Sequence, residues 1–212
     1  MIVIKSKIDK EEVNEMPRQE CGISITVVDT PQDAEKAVRF LKGYDTLGID
    51  SETRPSFRRG DTHKVALLQV STDERCFLFR LNKTGLTLPL IELLESSHIR
   101  KVGLSLKDDY HALHQRAPFT PANTVELQDM VRPFGIEDMS LQKIYANLFG
   151  KKISKAQRLS NWEADSLTIP QQEYAAIDAW SCLKIYEELE ELRQSGDFMI
   201  QKTEDNNNEE YK

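Results

Sequence analysis

The stretch LGIDSETRPSF, residues 47–57, opens as a buried strand and ends in charge. Leu47 and Ile49 are interior side chains, while Asp50 and Glu52 set two carboxylates one residue apart at the strand's end. Residues i and i+2 of a strand point to the same side, so the two acids converge. A solvated loop edge would relieve their repulsion, and a bound cation would cancel it.

Two further places hold acids that a plain globule does not need. In KVGLSLKDDYHAL, residues 101–113, an apolar strand runs directly into Asp108 and Asp109 at a helix start. In EYAAIDAWSCLKIYEEL, residues 173–189, Tyr174 and Asp178 stand four apart on a helix and share a face. The small neighbours Ala175, Ala176 and Ala179 let that helix lie close to a sheet, which would bring Asp178 towards Asp50. Taken singly, each has a bland reading. Asp108 or Asp109 could complement a helix dipole, and Asp178 could sit on the exposed face of an amphipathic helix. Together, in this order and against these apolar flanks, they point to a site.

Around these motifs the pattern predicts strands at 23–29, into Asp50, at 64–72, 75–81, 99–106 and 124–130. A helix follows Thr30 as N-cap with Pro31 in its first turn, and Gly43 closes it. Further helices are expected at 88–97, 108–115, 140–150 with Ser140 as N-cap, and from Pro170 to Gly196. The order predicts an α/β fold in which a mixed sheet, with a three-strand antiparallel start and then parallel strands, is flanked by helices. Residues 1–22 read as a polar extension running loosely over the surface, 23–196 as the domain, and 197–212 as a disordered acidic tail.

A chain of 212 residues, 39% hydrophobic and 30% charged, suits one soluble domain. No apolar run approaches a membrane span, and the start MIVIKSKIDK lacks the apolar core of a secretory signal. Cys21, Cys76 and Cys182 are odd in number and lack C-x-x-C spacing, so they read as reduced thiols of a cytoplasmic protein. His111 and His114 have no cysteine partners and read as packing or surface residues. The net charge of −7 argues against a polyanionic partner, yet −3 of it lies in the last sixteen residues. Four carboxylates of the three motifs, neutralised together, would account for the rest.

The three motifs resemble those of the DEDD superfamily of 3′–5′ exonucleases, in its tyrosine-bearing branch. KVALLQVST (64–72) and SNWEADSLTIPQQEYAAIDAW (160–180) are also similar to segments of RNase D-type and Werner-syndrome-type exonuclease domains. The likeness covers roughly residues 23–195. It implies a ribonuclease H-like sheet and assigns Asp50, Glu52, Asp109 and Asp178 as ligands of two divalent cations, Mg²⁺ or Mn²⁺. Asp109 is preferred to Asp108 because the family's aspartate falls seven residues after the Val of the VG step, here Val102. Tyr174 takes the place that histidine holds in the other branch. Ser105 departs from the Asn or Gly often found at its position. Carboxylates are apt ligands for hard divalent ions, and two such ions can clamp an in-line phosphodiester displacement. The implied activity removes 5′-mononucleotides from the 3′ end of DNA or RNA. Tyr174, with an ordinary pKa near ~10, would orient the attacking water.

Basic and aromatic residues beside the acids are candidates for holding the strand: Thr53, Arg54, Phe57, Arg58 and Arg59, with Lys155 from GKKISKAQR (150–158). Phe57 could stack a terminal base in a sequence-tolerant way. Two rivals remain open at this point, a module that binds nucleic acid without cutting and an endonuclease on the same fold. Binding without cleavage would favour the first, and cutting of a circular substrate the second.

Overall fold

The computed structural model describes residues 1–58 and 60–203, so the expectation for Arg59 lies outside the described residues. Along the chain run β1 (Ile2–Lys5), α1 (Lys10–Glu15), β2 (Ser24–Val28), α2 (Pro31–Leu41), β3 (Thr46–Glu52), β4 (Leu67–Ser71) and β5 (Arg75–Arg80). There follow α3 (Leu81–Thr84), α4 (Leu88–Glu95), β6 (Arg100–Gly103), α5 (Leu106–Leu113), β7 (Thr124–Glu126) and α6 (Leu127–Val131). A 3₁₀ turn (Arg132–Phe134), α7 (Leu141–Phe149), α8 (Ile169–Ser195) and β8 (Phe198–Gln201) complete the described chain.

Six strands form one mixed sheet in the order β2-β5-β4-β3-β6-β7. Strands β3, β4 and β5 make the antiparallel meander, and β6 and β7 extend it in parallel from β3. At the other edge β2 pairs in parallel with β5. Helices cover both faces. Leu47, Ile49, Leu68, Val70, Phe77 and Phe79 point to the layer that holds Leu41, Leu90 and Leu113. The alternate residues Leu67, Cys76 and Leu78 meet Ala175, Ala176 and Ala179 of α8. A sheet buried on both faces explains why its strands read as nearly continuous apolar runs.

The helix that carries Tyr174 and Asp178 is well specified locally. The Thr168 side chain accepts from Gln171 N, while the Gln171 side chain accepts from Thr168 N at 3.0 Å, a reciprocal capping box. Gly196, at φ 68°, closes the helix in the left-handed region. Its approach to the sheet depends on Gly48 in β3. A Cβ at that position would sit 2.0 Å from the carbonyl oxygen of Ala179, so only glycine lets α8 lie this low over the strand.

Several expectations need correction. The segment 124–130 is a strand only to Glu126, because the Glu126 carboxylate accepts from Gln128 N and starts α6. Ser140 occupies the N-cap position of α7, but its hydroxyl makes no capping bond. Residues 1–22 are not loose. β1 pairs in parallel with β8, which also removes Phe198–Gln201 from the expected disordered tail; residues 204–212 lie outside the described chain. Ile8 N donates to the buried Asp138 at 2.8 Å, Asn147 bridges both backbone groups of Lys5, and Gln19 N donates to Lys152 O at 2.9 Å. These bonds satisfy backbone groups that a free extension would leave to water. Among the described residues no helix is long and apolar enough to cross a membrane.

Candidate active site

Asp50 and Glu52 leave β3 on the same face as Gly48, under α8. The close approach at Gly48 brings Asp178 to them, and carboxylate oxygens of Asp50, Glu52 and Asp178 all lie within 4.8 Å of one another. Asp178 is 4% exposed and Glu52 9%, so water relieves little of their repulsion. Burial first, and then the neighbouring carboxylates Asp178 and Asp109, push Glu52 up to about 8. Burial and the charges of Asp109, Asp178 and Glu52 raise Asp50 well above the ordinary carboxylate range. Burial lifts Asp178 to about 7, opposed by the Tyr174 hydroxyl and by attraction to Lys155.

None of the three acids forms an ion pair among the described residues, and Asp178 Oδ1 is buried without a hydrogen-bond partner. A convergent, all-oxygen donor set with no ion-pair partner among the described residues fits a hard divalent cation, and the residues present therefore suit the metal that the sequence implies.

Asp109 reaches this end of the sheet from the other face. Ser51 points away from Asp50 and Glu52, as strand alternation requires, and its hydroxyl donates to Asp109 Oδ1 at 2.6 Å. Burial raises Asp109 to about 6, and the Ser51 hydrogen bond works against that rise. Asp109 is thus placed beside the triad but outside the group of three whose oxygens meet. Asp108 stands in the first turn of α5, away from that bond.

The start of α5 has its own support. Ser105 precedes it at φ 63°, the left-handed conformation that asparagine and glycine adopt most readily. Glu126 accepts from both Ser105 N (3.0 Å) and Leu106 N (2.8 Å), so one carboxylate secures the starts of α5 and α6.

Tyr174 packs its ring against Trp162, with centroids 6.0 Å apart, and is 6% exposed. Burial and the charges of Asp178 and Glu52 drive its phenol pKa upward. A phenol in that position stays protonated and can donate a hydrogen bond but cannot serve as a base.

Beyond Glu52 the chain turns into a cavity of about 470 Å³. Arg54, Phe57 and Arg58 line it from one side, Leu159 and Asn161 from the other. Phe57 is 79% and Leu159 67% exposed, two apolar side chains facing solvent across a polar cavity. Arg54 Nη1 and His63 Nδ1 both reach the Glu163 carboxylate, at 3.3 and 3.5 Å, which ties the two loops together. Thr53 is half-buried just after Glu52. Lys155 lies within electrostatic reach of Asp178, and Arg158 of Glu52.

Of the other basic residues, Lys101 is fully buried and donates to Ser96 O and Ile99 O, while Arg100 is held by the Tyr186 hydroxyl at 2.6 Å. His114 stacks on Phe119 with centroids 4.5 Å apart, a packing residue.

Sequence reasoning did not single out Ser51, Glu126 or Leu159. Ser51 had a signal, since the residue between two site acids points to the opposite face. Glu126 had a local signal only as the N-cap of α6, since the donors Ser105 N and Leu106 N lie about twenty residues away, and Leu159 had none, because the residues across the cavity from it are distant along the chain.

The family described as 3′–5′ exonuclease matches residues 25–193 of the chain. The chain is 31% identical over 173 residues to the bifunctional 3′–5′ exonuclease/ATP-dependent helicase WRN of Mus musculus, covering 78% of this chain and 12% of that protein. It is 31% identical over 174 residues to a 3′–5′ exonuclease of Arabidopsis thaliana, covering 79% of this chain and 58% of the relative. The chain thus spans less than two thirds of the length of these curated relatives. The EXO domain of Aedes aegypti Nibbler has the same fold, with a TM-score of 0.77 at 20% identity over 85% of this chain and 94% of that domain.

Proposed function

The chain belongs to the 3′–5′ exonuclease family, and from that premise we propose that it hydrolyses phosphodiester bonds at the 3′ end of a nucleic acid, releasing 5′-mononucleotides. The observation that carries this reading is the meeting of Asp50, Glu52 and Asp178 within 4.8 Å, with Glu52 and Asp178 buried, Asp50 half-buried, and none of the three in an ion pair among the described residues. Asp50, Glu52 and Asp178 would hold one divalent cation, Mg²⁺ or Mn²⁺, and Asp50 with Asp109 a second. Bound there, such ions supply positive charge for activating water and stabilising a departing 3′ oxygen.

The chain's own groups do the rest. Tyr174, kept protonated, donates to and orients the water that attacks the phosphorus. Lys155 and Arg158 draw the phosphate backbone to a cluster of acids that would otherwise repel it. Phe57 and Leu159 offer apolar surfaces to the terminal base, a contact with no sequence preference. No side chain is required as a nucleophile.

The test uses 3′-ended strands of DNA and RNA, single-stranded and recessed, with Mg²⁺ or Mn²⁺ and with EDTA. Release of 5′-mononucleotides by the wild-type protein, lost in Asp50→Ala and Asp178→Ala, is the expected result. An unchanged rate in either variant would remove the mechanism, and cutting of a circular strand would make the protein an endonuclease.

A further inference from the structure

The family match begins at residue 25, yet the preceding segment is bonded firmly to the domain and builds one wall of a second groove. This groove, of about 380 Å³, lies between α1, the start of α7 and the segment 152–155. Lys10 and Asn14 line it from α1, Lys143 from α7, and Lys152 and Lys155 from the connecting segment. Four of its lining residues are lysines and none is acidic, in a chain whose net charge is −7.

The lysines differ in freedom. Lys143 is paired with Asp138 at 3.0 Å, and Lys152 donates to Asn14 O. Lys10 is exposed at the first turn of α1 and has no hydrogen bond or ion pair among the described residues. Lys155 joins the groove to the active site, since it lines the one and lies within electrostatic reach of Asp178 in the other.

We infer that this groove holds the sugar-phosphate backbone of a single-stranded nucleic acid upstream of its 3′ end, with Lys155 passing the strand to the acids and Lys10 binding a phosphate farther from the cut. The inference rests on the exonuclease reading for its direction, but the binding it describes is separate from the chemistry. Four lysines with no acid among the groove's lining residues suit a polyanion, and the reach of Lys155 to Asp178 selects a strand whose end enters the acid cluster.

The experiment compares wild type, Lys10→Glu and Lys36→Glu. Lys36 carries the same charge change on α2 and lines no part of the groove. The ratio of kcat/KM for a strand of about twelve nucleotides to that for a dinucleotide is expected to fall about tenfold in Lys10→Glu and to hold in Lys36→Glu. Affinity for the longer strand, measured with Ca²⁺, should lose about 0.7 from its log–log salt slope for each phosphate contact removed. Equal ratios and slopes in wild type and Lys10→Glu would overturn the groove while leaving the exonuclease reading intact. An equal loss in Lys36→Glu would also overturn it, by tracing the effect to net charge. If the wild-type protein cuts nothing, the exonuclease reading falls, and the salt slope still decides the groove.

Discussion

Gly48 of β3 and Ala179 of α8 meet so closely that a methyl group on the glycine would lie 2.0 Å from the alanine's carbonyl oxygen. The contact is backbone against strand, so nothing flexible can yield. It sets the height of α8 above the sheet, and Asp178 stands one residue before Ala179. The position of one glycine therefore governs whether the third carboxylate reaches the other two. Gly48→Ala should lower stability by about 1–3 kcal/mol, the usual range for overpacking. It should also reduce nuclease activity by far more than the fraction unfolded accounts for. Chemical denaturation and activity measured on the folded fraction separate the two losses.

The acids make the cation-free protein sensitive to pH in an unusual direction. Glu52, Asp178 and Asp109 titrate at about 8, 7 and 6 when folded, against ~4 in an unfolded chain. Between these values the folded state holds more protons, so its stability is fully present below pH ~4 and declines as pH rises through the folded values. Thermal unfolding in EDTA should show a lower Tm near pH 8 than near pH 5, and Asp178→Asn should flatten that slope. Adding Mg²⁺ or Mn²⁺ should raise Tm more at the higher pH, because proton and cation compete for the same oxygens.

Ser51 acts on Asp109 from the opposite face of the strand. Its hydroxyl favours the charged carboxylate, so Ser51→Ala should push the Asp109 pKa higher. Activity should fall more steeply below about pH 7 than in wild type and recover towards alkaline pH. A pH–rate profile with the same acid limb in both proteins would show that Asp109 is not coupled to the chemistry.

Ser105 bears a strain that its neighbours impose. At φ 63° a side chain with a Cβ is disfavoured by about 1–2 kcal/mol, and asparagine or glycine is disfavoured less. Ser105→Asn should therefore stabilise the fold by roughly 0.5–1 kcal/mol in urea denaturation, whereas Ser105→Ala should not. Glu126→Gln should weaken the same helix start, since two backbone donors lose a charged acceptor.

Phe57 is exposed and contributes nothing to the core. Phe57→Ala should leave the unfolding midpoint unchanged and raise KM for single strands by about tenfold, the effect of losing one base-stacking contact of about 1–3 kcal/mol. An abasic 3′ terminus should erase the difference between variant and wild type.

The separate strands, the Thr30-capped helix and the shared face of Tyr174 and Asp178 were legible in the chain, because each depends on groups within a few residues of one another. The convergence of Asp50 and Glu52 was legible for the same reason, since strand alternation is a local property. Even the low seat of α8 had a trace in Ala175, Ala176 and Ala179, though its counterpart Gly48 gained meaning only when the helix lay upon it. Nothing local could show that β2 would pair with β5 in parallel, that Glu126 would also secure the start of α5, or that β1 would find β8 across almost the whole chain. These pairings join groups far apart in sequence, and they follow from which buried backbone donors and acceptors remain open once the core has closed. The identities of the acids belong to the sequence. Their distances, and the face from which Asp109 approaches, belong to the packing of α8 and α5 against opposite sides of one strand.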